Sequence, residues 1–150
     1  MKRSLKTLMV AVCAVILASM IGCSKTEKLI IGTWDAEKAI STITISGSGT
    51  AYDGTRCDTI IYVEGQASMT FKDDNTMTAS SLNMSTGEKE VSNATYAIDD
   101  DKLTITYGND VSEYTIMDID KSNMQLRSTM DETQGQASMK AVIDLYLKKK

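Results

Sequence analysis

The chain has 150 residues, 42% of them hydrophobic, with 16 basic and 20 acidic side chains and a formal net charge of −4. It contains no histidine, which removes Ser-His-Asp and Cys-His nucleophile systems and the usual zinc sites.

At the start, Lys2, Arg3 and Lys6 precede an apolar run from Leu8 to Ile21, the pattern of an export signal. The run is about 14 residues, short of the roughly 20 that a membrane-spanning helix needs. Met20-Ile21-Gly22-Cys23 resembles the bacterial lipobox, which implies cleavage before Cys23 and acylation of its thiol and new amine. Two or more acyl chains anchor a protein stably. Residues 1–22 therefore read as a lipoprotein signal peptide, 23–28 as a lipidated tether and 29–150 as one folded domain. Ser24, rather than aspartate, follows Cys23, and by resemblance to known sorting rules the anchor belongs in the outer membrane. The tether lacks an acidic run, so the periplasmic face is expected over the cell surface.

Loss of the signal leaves 13 basic against 20 acidic residues, a net charge of −7, which disfavours nucleic acid and anionic membrane surfaces as partners. Cys13 leaves with the signal and Cys23 is acylated, so Cys57 remains alone and no internal disulfide can form. In an oxidising compartment a lone thiol is either buried or reactive; burial is the expected state.

From Ile30 onward the chain alternates apolar and polar residues, the mark of half-buried strands. Ile30 to Ala36 and Ile40 to Ser46 read as strand, one long bent element or two. Gly47 to Asp58, with Gly47, Gly49 and Gly54, reads as a flexible loop. Six strands follow at roughly 66–72, 76–84, 92–98, 103–107, 111–117 and 122–130. The turns between them are rich in Asp, Asn and Gly, which adopt tight-turn conformations readily. In the second of the six the apolar phase changes from Met77 and Ala79 to Leu82 and Met84, which predicts a bulge near Ser80-Ser81. Residues 137–148 fit a strand by alternation of Ala137, Met139, Ala141, Ile143, Leu145 and Leu147, and a helix by the spacing of Met139, Val142, Ile143 and Tyr146. Strand is the preferred reading, because the meander needs a partner for its free edge.

The fold class is therefore all-β: an antiparallel up-and-down meander closing into a roughly eight-stranded barrel. Ile31-Gly32-Thr33-Trp34 before such a meander, with the hairpin phrases around Phe71 to Thr76, Tyr96 to Leu103 and Tyr114 to Ile116, resembles the lipocalin-like domains of Gram-negative envelope lipoproteins. The resemblance covers nearly all of residues 29–150. It implies that Gly32 and Trp34 close the barrel floor and that a late-strand arginine packs on the tryptophan, Arg127 being the candidate by position. Met69, Phe71, Tyr96, Tyr107 and Met124 are the candidate interior-lining residues. A barrel of this size either is filled by its side chains or holds one small ligand. The alanines and methionines of the inner face suit both states.

No catalytic constellation is found. Asp118 to Asn123 starts like a calcium loop but has Asn123 where glycine is required at the sixth place and Thr129 where glutamate is required at the twelfth. Neither a metal nor a cofactor is expected. Asp58-Thr59-Ile60 matches a short O-glycosylation motif of some Gram-negative envelope proteins. The expected function is binding of a small apolar or amphipathic ligand, or a glycan, without catalysis. The alternative is a structural or protein-interaction lipoprotein that docks a partner through its outer face or the loop at Gly47 to Asp58.

Overall fold

The computed structural model describes residues 25–47, 49 and 53–150, so the export signal, Cys23 and Ser24 lie outside the described residues, as does part of the expected loop. A short helix, α1 (Lys25–Ile30), leads into nine strands. These are β1 (Gly32–Ser46), β2 (Gly54–Ile61), β3 (Ala67–Phe71), β4 (Thr76–Leu82), β5 (Lys89–Asp99), β6 (Lys102–Tyr107), β7 (Asp110–Ile119), β8 (Asn123–Gln134) and β9 (Ala137–Lys149). All neighbouring pairs are antiparallel and β9 returns to pair with β1. Strands β1 and β3 to β9 thus close an eight-stranded barrel, and β2 is an additional strand on β1.

The six-strand meander from Ala67 falls where alternation predicts it, and residues 137–149 are strand. Three features differ. Residues 25–28, read as tether, belong to the helix α1. The stretch read as a loop to Asp58 contains the start of β2, paired without interruption from Lys38↔Ile61 to Ile45↔Gly54. Every residue of β2 is exposed, so it has no buried face to impose an apolar rhythm on the sequence. No bulge occurs at Ser80-Ser81, where the β3–β4 register runs unbroken; Leu82 and Met84 simply face solvent. The register shifts lie at Glu37, between Ala36 and Lys38, and at Met117, between Ile116 and Asp118.

Both bulges stand beside short seams. Strand β1 pairs with β3 only over Gly32–Asp35, and β7 with β8 only through Thr115–Ile119 and Met124–Arg127. By contrast β9 pairs with β1 and β8 along nearly its whole length. The barrel is consequently shut at the Trp34 end and splays at the other into two sheets, β3 to β7 and β8-β9-β1-β2.

The core sits at the shut end. Trp34, Phe71, Ile30, Met77, Leu103, Ile105 and Leu126 are all sealed from solvent, and Phe71 meets Tyr96 edge to face with centroids 5.0 Å apart. Truncating any of the leucines to alanine costs about 3 kcal/mol, the lost transfer energy plus the cavity left behind.

On the outer surface Arg127 forks onto Asp144 across β8 and β9, Nε to Oδ1 at 2.8 Å and the terminal nitrogen to Oδ2 at 2.9 Å. Donation from Arg127, supported by Gln125, holds the Asp144 carboxyl below the usual aspartate range. A carboxyl lowered on folding adds stability above its unfolded pKa and loses it as pH falls through the folded value. Acid titration of the unfolding free energy is expected to show this loss below about pH 4, and Asp144→Asn to flatten that part of the curve.

Candidate functional site

The shut end is built around Trp34, the only tryptophan. Its indole Nε1–H donates to the Ile30 carbonyl at 2.7 Å, and Lys149 Nζ lies 4.9 Å from the ring centroid while donating to the Leu29 carbonyl at 2.9 Å. A helix of six residues is unstable alone and leaves its last carbonyls unpaired. Here the floor supplies both partners, and Ile30 is completely buried as the helix's apolar anchor. Gly32 is required by the same arrangement: its φ is +128°, and a Cβ there would stand 2.8 Å from Lys149 Cε.

Arg127 is not the cation on Trp34. Leu126 faces inward, so Arg127 faces outward to Asp144, and the cation over the indole comes from β9, at Lys149. The signal was present in Lys148-Lys149-Lys150, but a terminal lysine run reads as solvated charge unless β9 is known to close on β1. Next to it, Asp35 is buried and its Oδ2 pairs with Lys150 Nζ at 3.0 Å.

The cavity lies toward the splayed end, between the two sheets. It encloses about 250 Å³ and is walled by Ala36, Met69, Ala79, Leu145 and Leu147, with Ala67 at its rim. Its polar margin carries Tyr62, Glu90 and serines 68, 80, 81 and 92. One contact ties part of that margin together: Ser68 and Ser80 share a hydrogen bond at 2.8 Å. Beyond Leu145 the same face continues to Ile143 and, through Ala141, to its cross-strand neighbours Ile43 and Met130, all substantially exposed. The space exists because the residues are small where the sheets part. Ala36, Ala67 and Ala79 stand one or two positions above Trp34, Phe71 and Met77.

Of the five candidate lining residues, Met69 alone borders the cavity. Phe71, Tyr96 and Met124 are buried in the solid core, with Tyr96 Oη donating to the Lys72 carbonyl at 2.6 Å. Tyr107 packs half-buried against that core, and burial pushes its phenol above the usual value. The inner-face alanines Ala67 and Ala79 do line the space, whereas Tyr62, Glu90 and the serines, which bear no signature of a ligand in the sequence, are the lining residues that sequence reasoning passed over.

Cys57 is exposed, not buried, because β2 lies outside the barrel. Its Sγ stands 3.6 Å from Thr42 Oγ1. Thr59 of the O-glycosylation motif is exposed on the same strand. The Asp118 to Asn123 segment is a closed turn, in which Asp120 Oδ1 accepts the Ser122 and Asn123 N–H groups at 2.6 and 2.7 Å. Those bonds lower the Asp120 pKa. Among the described residues no group of three or more acidic or cysteine side chains is placed to hold a metal.

A profile of the lipocalin-like domain family matches residues 30–126. Among curated protein sequences none matches. A lipocalin-like protein from Bacteroides uniformis is 14% identical, covering 77% of this chain and 96% of its own, with a TM-score of 0.45. An uncharacterized protein from Bacteroides eggerthii is also 14% identical, covering 80% and 98%, with a TM-score of 0.49. Apocrustacyanin C1 is 13% identical with a TM-score of 0.54, over 85% of this chain and 64% of its own; at that identity the likeness is one of fold.

The Trp34 floor yields a direct test. Lys149→Ala is expected to shift Trp34 fluorescence to longer wavelength and to cost about 1–2 kcal/mol in urea unfolding, through the lost charged hydrogen bond and ring contact. Arg127→Ala should leave the emission maximum in place.

Proposed function

The chain belongs to the lipocalin-like domain family, and from that premise we propose that it is a binding module that takes a small amphipathic molecule at the splayed end of the barrel, without catalysing its conversion. The observation that carries this reading is the cavity of about 250 Å³ above a sealed floor. Its size falls just under the roughly 300–1,000 Å³ of most small-molecule pockets, which suits a compact ligand or one end of a longer one. The apolar portion would rest on Met69, Leu145 and Leu147. Hydroxyls of Tyr62 and the serines would meet a hydroxylated or amide-bearing portion, and Glu90, the one charged side chain in the lining among the described residues, disfavours an anionic group there. A glycan end would use the same hydroxyl margin, with its apolar face on Met69. The exposed strip through Ile143, Ile43 and Met130 would give a longer tail somewhere to lie.

The anchor belongs to the same proposal. Acylation at Cys23 would hold the module on the outer membrane, on its periplasmic side, with α1 following directly. The helix opens at Lys25, two residues after Cys23 in the sequence, so little slack would separate lipid from barrel. The site would then work close to a bilayer surface, where amphipathic molecules are concentrated.

Mass spectrometry of the full chain extracted from its envelope in mild detergent tests both parts. For the cavity, the expected result is a mass excess in the native spectrum that disappears on denaturation and that Ala79→Phe, which fills the cavity, removes or cuts at least tenfold. An excess unchanged in Ala79→Phe would place the ligand elsewhere and overturn the reading. For the anchor, the denatured mass should exceed that of the chain from Cys23 by its acyl groups, and Cys23→Ser should abolish that excess; an unmodified Cys23 chain would end the anchoring proposal.

A further inference from the structure

Among the described residues, strand β2 is bonded to β1 on one side and to no other strand along its whole length. Open edges invite pairing with other chains, and proteins ordinarily guard them with lysine, proline, a bulge or a short strand. This edge is eight residues long, its register on β1 is unbroken, and its sequence Gly-Thr-Arg-Cys-Asp-Thr-Ile-Ile contains neither lysine nor proline. Two charges remain, Arg56 and Asp58, placed symmetrically about Cys57.

That symmetry selects a partner. Tyr62 N–H donates to the Glu37 carbonyl at 2.9 Å in the continuing β1–β2 register. Along an antiparallel strand the backbone groups turn to alternate sides. The odd-numbered residues from Thr55 to Ile61 therefore offer their N–H and C=O groups to the free edge. Two copies meeting antiparallel about a two-fold axis must match odd with odd, so the axis passes through a residue. An axis at Arg56 or at Asp58 sets like charges face to face. At Cys57, Thr55 pairs with Thr59 of the other copy, and Arg56 stands opposite Asp58 twice. These charged residues then occupy the non-hydrogen-bonded position, where cross-strand side chains approach most closely.

We propose that β2 is a self-association edge, joining a second copy of this chain in a two-fold antiparallel pair centred on Cys57 and fixed by reciprocal Arg56–Asp58 ion pairs. The partner is identified by charge complementarity: the two charges that would guard the edge against a like-charged strand are complementary to the same strand reversed. In the separate chain Asp58 Oδ1 accepts the Thr59 N–H at 2.8 Å. Pairing exchanges that self-cap and the interaction Arg56 makes within its own chain, handing the N–H to a Thr55 carbonyl across the interface and the carboxylate to Arg56. The two four-strand sheets β8-β9-β1-β2 then join into one continuous sheet, and the apolar strips through Ile43 and Ile143 lie on one face of it. The inference does not depend on what the cavity holds.

The test is a charge-reversal cycle on the full chain, read by sedimentation equilibrium in density-matched detergent. The parent is expected to dimerise. Arg56→Asp and Asp58→Arg should each weaken dimerisation by about tenfold or more, since each places two like-charged pairs across the strands, and the double variant should restore it. Cys57 reports the register: a short bismaleimide should cross-link the parent chain to a dimer, and Cys57→Ser should abolish the cross-link. A parent that stays monomeric at all attainable concentrations overturns the proposal, as does a double variant no better than the singles. A dimer indifferent to both reversals would lie on another surface and would overturn it equally.

Discussion

Closing an antiparallel sheet requires one strand to serve two neighbours at once, and in this chain that strand is β1. Along one side it pairs with β9 from Trp34 to Ser46. Along the other it pairs first with β3 over Gly32–Asp35 and then with β2 from Lys38 to Ile45. The exchange of partner occurs at the Glu37 bulge, where the extra residue bends the strand. The short contact with β3 holds because Trp34 lies within it, sealed beneath α1 and under Lys149. Floor, helix and closure are therefore one assembly: the Gly32 backbone admits Lys149, Lys149 caps α1, and α1 delivers Ile30 to the core.

The contrast between the two ends follows from side-chain volume. At the floor, most inward positions carry a large residue, such as Trp34, Phe71, Met77, Leu103 and Leu126, with Ala94 opposite Met77 the small one among them. One or two positions higher the same strands carry Ala36, Met69 and Ala79, and the paired backbone between β7 and β8 has already ended. Small residues cannot span the distance between the parting sheets. A cavity results without any residue being specialised to make one, and its margin of serines and Tyr62 keeps the parted strands wetted.

Most of the meander was legible in the sequence because burial on one face imposes a two-residue rhythm. Ala67-Met69-Phe71 and Leu103-Ile105-Tyr107 carry that rhythm openly, and β3 and β6 lie where it puts them. Where burial is absent the rhythm is too. Thr55 to Ile61 is a well-paired strand, but exposure on both faces left Gly54 and the polar residues to suggest a loop, and left Cys57 with an expectation of burial that its strand could not provide. The misplaced bulge has a related cause: the apolar character of Leu82 and Met84 suggests inward positions, although single exposed apolar residues are ordinary on a protein surface. The Trp34 partner was sought as an arginine by family resemblance, whereas this chain uses Lys149, a choice visible only once β9 is known to close the barrel. The cavity lining was the least legible part: the inner-face alanines fitted a filled barrel as well as a hollow one, and the serines declare nothing about a ligand until the fold sets them around a space.

The two short seams divide the molecule into regions of unequal permanence. Large buried side chains, the β1–β3 closure and the helix cap are concentrated at one end, so most of the apolar burial that resists unfolding is located there. The parted end adds mainly backbone pairing, along β9 and its two neighbours. Substitutions in the cavity wall or in the turns above it can therefore accumulate without threatening the fold, whereas the floor tolerates few. A barrel organised in this way keeps one half fixed as a foundation and leaves the other free to be re-cut for different ligands, so descendants of one such chain can diverge in what they bind while remaining superimposable at Trp34.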